Sequence, residues 1–309
     1  MSQITQSPSH LVTQSPMNTI DLHCHTTASD GRHSPTALVQ MAGEMGLRAI
    51  AVCDHDSTEG LDEALAAGRT VGIEVIPSVE LSCDVAEGEL HMLGYYPDYA
   101  DSAFQAELTR LREGRVGRAQ AMVRKLIGLG YPISFERVQE LAGDGAIGRP
   151  HVAQALIEAR LVQSKGEAFE RLIGRNGPAY VERAKLSPAD ACRMIRRVGG
   201  LPVFAHPFIA LANGRTLEPM PVESSLPNLV EAGLAGLEVY YPNYTPTLIE
   251  RLLRLSRQYG LLVTGGSDFH GEGSAGAALG GVYVPPKCLT ALKEAQRRAS
   301  QPAARGTED

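Results

Sequence analysis

Met-Gly-Leu-Arg-Ala-Ile-Ala-Val (45–52) closes an amphipathic stretch, turns at a glycine and ends in an apolar run. A glycine there suits the left-handed residue just past a helix, and the run after it reads as a buried parallel strand. The same unit returns at Val-Gly-Ile-Glu-Val-Ile (71–76), Gly-Gly-Leu-Pro-Val-Phe-Ala (199–205), Gly-Leu-Ala-Gly-Leu-Glu-Val (233–239) and Tyr-Gly-Leu-Leu-Val-Thr (259–264). Helix alternating with strand implies an α/β fold. Adding Thr19–His25 and Glu89–Tyr95 gives about seven strands, close to a closed barrel. A doubly wound open sheet is the alternative.

The alternation lapses from residue 101 to 186, where Phe104–Leu129, Phe135–Leu141, Pro150–Leu161 and Glu167–Ile173 read as helices. The spacing predicts a helical insertion in a barrel made of residues 18–100 and 187–300. Ser34-Pro35, Ser187-Pro188 and Thr245-Pro246 each set a capping hydroxyl before a proline suited to the first helical position. Residues 1–17, in which Thr-Gln-Ser-Pro occurs twice, and residues 301–309 are expected to be disordered. Met17 stands directly before the first strand, where translation could also begin.

A chain of 309 residues, 43% of them apolar, can bury one large core or a core with a subdomain. No apolar run approaches the roughly 18 residues of a membrane span, and the N-terminus lacks a basic-then-apolar signal layout. The expected location is the cytoplasm, with no membrane partner. Cys24, Cys53, Cys83, Cys192 and Cys288 are scattered and odd in number, against a disulfide framework or a thiolate zinc site. A net charge of −6 offers no general attraction for nucleic acid, although a local basic patch remains compatible with it.

Metal-ligating residue types gather at the ends of the expected strands: His23 and His25, Asp54-His55-Asp56, Glu80, His91, His206, and Asp268 with His270. The two-residue period of a strand puts His23 and His25 on one face. Singly, each has an ordinary structural use, and Asp30 before Gly31 also suits a turn. Together, in a chain with nine histidines, they point to a metal site at the C-terminal mouth of a barrel, where such folds carry their chemistry. Imidazole mixed with carboxylate suits manganese, iron or zinc, and the number of candidates implies two or three ions. Paired ions can generate hydroxide at neutral pH and clamp phosphoryl oxygens, which is the chemistry of phosphoester hydrolysis.

Asp21-Leu-His-Cys-His25, Ser29-Asp-Gly31, Asp54-His-Asp56, Val79-Glu-Leu81, His91, Ala205-His-Pro207 and Gly266-Ser-Asp-Phe-His270 together resemble the PHP (polymerase and histidinol phosphatase) phosphoesterases. The resemblance implies a distorted seven-stranded barrel and a trinuclear centre. Carried across, it implies one ion on His23, His25, Glu80 and Asp268. A second would share Glu80 with His91 and His206, and a third would take Asp30, His55 and His270. Aspartate at position 30 and helices after His91 are similar to the subgroup of 3′,5′-nucleoside bisphosphate phosphatases and 5′-to-3′ oligoribonucleases. The substrate implied is a small phosphorylated molecule, a nucleotide, with short RNA as a further one.

Gly148-Arg-Pro-His151 is similar to that subgroup's Arg-x-His element, which makes Arg149 the expected phosphate clamp with His151 beside it. His206 or His151 is the expected proton donor to the leaving alkoxide. Where many relatives read Gly-Arg-Tyr after His206-Pro207, this chain reads Phe208-Ile-Ala, with Arg215 the nearest substitute cation. Glu107–Lys125 carries six basic residues against two acidic ones, either a guide for a nucleotide or a solvated helix face. The rival functions are an amidohydrolase-like C–N hydrolase and a non-catalytic RNA-binding module. The oligomeric state is left open.

Overall fold

The computed structural model describes residues 19–85, 88–143, 147–182, 186–210, 216–272 and 277–301. Residues 1–18 and 302–309, which hold nearly all of both expected tails, lie outside the described residues, as does Arg215. The main strands are β1 Ile20–Cys24, β2 Ala49–Val52, β3 Glu74–Val85, β4 Gly88–Tyr95 and β5 Leu201–Ala205. Two-residue strands β6 Ile209–Ala210 and β7 Thr216–Leu217 form a separate ribbon, and β8 Gly236–Tyr240 and β9 Leu262–Gly265 complete the set. One seven-stranded sheet runs in the order β1, β2, β3, β4, β5, β8, β9. Every residue of β1, β2 and β5 is buried, which suits the nearly continuous apolar runs of β2 and β5, whereas β1 buries Asp21 and His23 as well.

The pairs β1/β2, β2/β3, β5/β8 and β8/β9 are parallel, whereas β4 runs antiparallel to both β3 and β5. β3 continues nine residues beyond the expected 71–76 run, to Val85. Its second half alternates Ser78, Glu80 and Ser82 with Val79, Leu81 and Cys83, and the latter three join the apolar core. The hairpin with β4 therefore places Glu80 and His91 inside strands rather than at strand ends. The open-sheet alternative is set aside, because the two ends of the sheet meet. The His25 N–H donates to the Phe269 carbonyl at 2.9 Å, and Cys24 bridges Phe269 in parallel register. The barrel is nearly closed. Gly266 allows this approach, since a Cβ there would lie 2.5 Å from the His23 nitrogen. Asp21 then accepts the Ser267 and Gly280 N–H groups at 2.9 and 2.8 Å.

Around the sheet lie α1 Pro35–Glu44, α2 Leu61–Val71, α7 Pro188–Arg197, α8 Val222–Glu231, α9 Pro246–Tyr259 and α10 Lys287–Ser300. Ser34, Ser187 and Thr245 cap their helices as expected, accepting the N–H groups of Ala37, Asp190 and Leu248. Gly72 ends α2 at φ 84°, the left-handed conformation that glycine adopts without a Cβ penalty.

From residue 102 to 173 the regular elements are helices: α3 Ser102–Gly128, α4 Phe135–Ala142, α5 Arg149–Glu158 and α6 Lys165–Ala168, which runs into a π-helical turn at Phe169–Ile173. Phe104, Leu108 and Leu111 at the start of α3 pack into the same core as β3, β4 and β8. Met122 and Leu126 near its end belong to a second core with Val138, Val152, Leu156 and Ile173. One long helix thus joins the barrel to the helices beyond it. No helix among the described residues is long and apolar enough to cross a membrane.

Candidate metal centre

Seven loops and strands deliver their side chains to one point at the barrel mouth. β1 brings His23 and His25, and the loop after it brings Asp30. The turn after β2 brings His55, β3 brings Glu80, and β4 brings His91. The ends of β5 and β9 bring His206, Asp268 and His270. Glu80 is fully buried at the middle of this group. Its Oε1 lies 2.9 Å from His91 Nδ1 and 3.0 Å from His206 Nε2. Its Oε2 lies 3.3, 3.2 and 3.1 Å from His23 Nε2, His25 Nε2 and His55 Nδ1. Asp268 Oδ1 is 3.3 Å from His23 Nε2 and 3.1 Å from His25 Nε2, and Asp30 Oδ1 is 3.2 Å from His270 Nε2.

The ligand atoms of three groups converge tightly enough to hold an ion: His23, His25, Glu80 and Asp268; His55, Glu80 and His91; and His25, Asp30, His55 and His270. The structure brings together all nine residues expected from the sequence. His25 offers a nitrogen to two groups, but a neutral imidazole has one lone pair and serves one ion at a time.

Do these residues fit divalent ions? Buried polar atoms normally have hydrogen-bond partners, and an orphan costs about 1–3 kcal/mol. Here His23 Nε2, both nitrogens of His25, Asp30 Oδ1, His55 Nδ1, Glu80 Oε2 and Asp268 Oδ1 are buried without one. They are near one another yet not bonded, as a set of ligands would be. The opposite atoms of the same side chains are engaged. His23 Nδ1 faces Glu238 Oε1 at 3.0 Å and His270 Nδ1 faces the Asp268 carbonyl at 2.8 Å. An Nδ1–H in each of these contacts leaves the Nε2 lone pair for a metal. Tyr241 donates its hydroxyl to Asp268 Oδ2 at 2.8 Å, leaving Oδ1.

The electrostatics agree. Burial acts to raise the Glu80 carboxyl, but His91, His55 and His23 outweigh it and hold the group well below the usual carboxylate range. Asp30 and Asp268 are held down in the same way, by His270 with His55 and by His23 with His270. Burial pushes His55 down to about 3, so its ring is neutral at neutral pH.

Three carboxylates of the motifs scaffold rather than face the centre. Asp54 accepts from Thr26 N–H, Thr26 Oγ1 and Ser29 Oγ at 2.8, 2.7 and 2.6 Å, folding the loop that carries Asp30. Asp56, at φ 48°, accepts the Ser82 N–H at 3.1 Å and the Arg115 Nε at 2.7 Å. Asp21 holds the β1 and β9 ends together, as above. Sequence reading missed Glu238 and Tyr241. Glu238 reads as one more acid in a strand, and only its complete burial marks it.

Two clefts open on the centre. One, of about 300 Å³, is lined by His55, His91 and His206 together with Arg115, Arg118 and Arg149. The second, of about 500 Å³, reaches Asp268 and His270 and includes Arg32, His151 and Lys165. Arg149 and His151 thus stand at different clefts. The Arg149 guanidinium lies 5.2 Å over the Phe169 ring. His151 Nδ1 accepts the Gly148 N–H at 3.0 Å, capping α5 and leaving its proton on Nε2; burial lowers its pKa.

The basic run on α3 is largely engaged at the joint with its neighbours. Arg112 bonds the Asp56 carbonyl, Arg118 the Val181 carbonyl and Lys125 the Tyr180 carbonyl, at 3.0, 2.8 and 2.6 Å. Phe208 is a buried side chain whose backbone exchanges hydrogen bonds with the Tyr244 hydroxyl.

The PHP domain family matches residues 21–176. A 5′-3′ exoribonuclease of Haemophilus influenzae is 34% identical over 81% of this chain and 89% of its own length. A 3′,5′-nucleoside bisphosphate phosphatase of Chromobacterium violaceum is 32% identical over 93% of this chain and all of its own. Among solved structures, a Bifidobacterium adolescentis protein assigned as a metal-dependent phosphoesterase superposes with a TM-score of 0.80 at 30% identity, covering 91% of this chain and 97% of that one. The chain therefore belongs to the PHP-domain family of metal-dependent phosphoesterases and is a phosphoric ester hydrolase.

Proposed function

We propose that the chain releases the 3′-phosphate of nucleoside 3′,5′-bisphosphates, leaving 5′-monophosphates, and that short 5′-phosphorylated RNA is a second substrate of the same site. The observation that carries this reading is a set of buried ligand atoms without hydrogen-bond partners, those of Asp30 and His55 among them, beside a cleft of about 300 Å³ that Arg115, Arg118 and Arg149 also line. The names of the two relatives, one for nucleoside bisphosphates and one for RNA, support it.

Two or three divalent ions of manganese, iron or zinc would be held by His23, His25, Glu80 and Asp268, by Glu80, His91 and His206, and by Asp30, His55 and His270. Such ions supply an activated water and neutralise phosphoryl charge. The chain's own groups position the ester. Arg149 offers paired in-plane N–H groups to phosphoryl oxygens. His151, neutral with its proton on Nε2, donates a hydrogen bond; it holds no extra proton for a leaving alkoxide. His206 serves as a ligand. The helices of residues 101–186 act as an inserted unit that closes the mouth of the barrel formed by residues 18–100 and 187–300.

The test is phosphate release with added manganese from adenosine 3′,5′-bisphosphate, histidinol phosphate and a 5′-phosphorylated trinucleotide, with products identified. Release from the bisphosphate, or stepwise mononucleotides from the trinucleotide, is the expected result. Turnover of neither by metal-loaded protein defeats the nucleotide reading. Asp268→Ala is expected to lose an ion and most activity, and full activity at unchanged metal content contradicts its role as a ligand.

A further inference from the structure

Phe169 borders both clefts, together with Asp30, Pro150 and Tyr241. It stands at the start of the π-helical turn, a rare geometry that occurs frequently at functional sites. Its ring is only partly buried, although it packs against the second core, and Arg149 lies over it. Met122 and Ile147, both buried, are among the apolar residues lining the first cleft. An aromatic ring paired with a guanidinium plane is a stacking surface for another flat ring.

The residues that line this cleft are as telling. Among the described ones none is Asn, Gln, Ser or Thr; the polar side chains are charged groups, imidazoles and the Tyr241 hydroxyl, and Gln154 lies in the second cleft. The cations there suit anions, and the apolar groups suit a ring face. Every nucleobase has such a face, whereas donors and acceptors at the edge differ between bases.

We infer that the Phe169–Arg149 pair holds the nucleobase of the substrate, recognising the presence of a base but not its identity. This rests on the nucleotide reading above. The two uses of Arg149 are compatible: its N–H groups lie in the guanidinium plane and can meet a phosphate, while its face stacks.

The chain contains no tryptophan, so Phe169→Trp introduces a single indole at the platform. In metal-loaded protein its fluorescence is expected to be quenched saturably by AMP, GMP, CMP and UMP, and not by ribose 5-phosphate. Equal quenching by ribose 5-phosphate, or none by AMP at concentrations where AMP inhibits the wild type, overturns the inference. In turnover, wild-type kcat/KM for the four nucleoside 3′,5′-bisphosphates is expected to agree within about fivefold, with ribose 3,5-bisphosphate lower by on the order of tenfold or more. Phe169→Leu is expected to narrow that gap and Phe169→Tyr to restore it, in variants with wild-type metal content. A base-free ester turned over as well as the nucleotides defeats this inference alone. Failure of the wild type on every nucleotide defeats the reading beneath it as well.

Discussion

Glu238 ties together two candidate ligands from distant parts of the chain. Its Oε1 meets His23 Nδ1 at 3.0 Å and its Oε2 accepts the backbone N–H of His206 at 2.7 Å. His206 sits at φ 25°, a region that non-glycine residues rarely adopt, and this hydrogen bond helps hold it there. Both partners are donors, so an amide at position 238 would turn its NH₂ against one of them. Glu238→Gln is expected to weaken metal affinity by about 10–100-fold, measured by competition with a chelator; unchanged affinity contradicts the positioning role. Burial opposes charge on His23 and His270, but Glu238, Glu80 and Asp268 raise the first, and Asp30 and Asp268 raise the second to about 10. His270 therefore carries a proton at pH 7 in ion-free protein, and an ion needs the lone pair that the proton occupies. Metal uptake at pH 7 is expected to release protons into weakly buffered solution, with apparent affinity rising as pH climbs toward 10. Uptake without proton release contradicts this charge state. The nine gathered residues were legible because histidine is scarce and acids rarely stand beside it by chance. Glu238 was not, since one acid among Gly-Leu-Glu-Val-Tyr becomes unusual only when the fold buries it.

At the scale of elements, α3 is the member that couples the helices to the barrel. Arg115 from its middle reaches Asp56, one residue past His55, and also bonds the Ser82 hydroxyl between Glu80 and His91. Asp56 is fully buried, so removing Arg115 takes away a cation 2.7 Å from its carboxylate. Arg115→Ala is expected to cost about 3 kcal/mol, seen as a lower thermal midpoint of the ion-free protein. A midpoint unchanged from wild type contradicts the view of Arg115 as a pin. The Ser-Pro and Thr-Pro helix starts were legible because capping is a local interaction, settled within one turn of chain. The antiparallel course of β4 and the length of β3 were not. β3 owes its extra length to the hairpin with β4, and β4 in turn pairs with a strand more than a hundred residues away, as His91 opposite Ala205 illustrates. Phe169 was hidden for a related reason: it reads as one apolar position in a helix, and its place between two clefts follows from the packing of α5 and the π-helical turn.

As a whole, the molecule puts a nearly closed barrel under a helical segment, with the candidate ligands at the junction and two clefts that reach them. The barrel was legible from the repeating helix, glycine and strand unit, because each unit carries its own periodicity. The clefts were not, since they form between segments that meet only in the folded chain. The account stands on one claim, that the partnerless side-chain atoms at this junction are ligands of ions on which phosphoester hydrolysis depends. Phosphate release from adenosine 3′,5′-bisphosphate, followed together with metal content before chelation, after chelation and after manganese is restored, tests it most directly. Activity that falls with the ions and returns with them is the predicted result. Undiminished turnover by protein shown to be stripped of metal would contradict it.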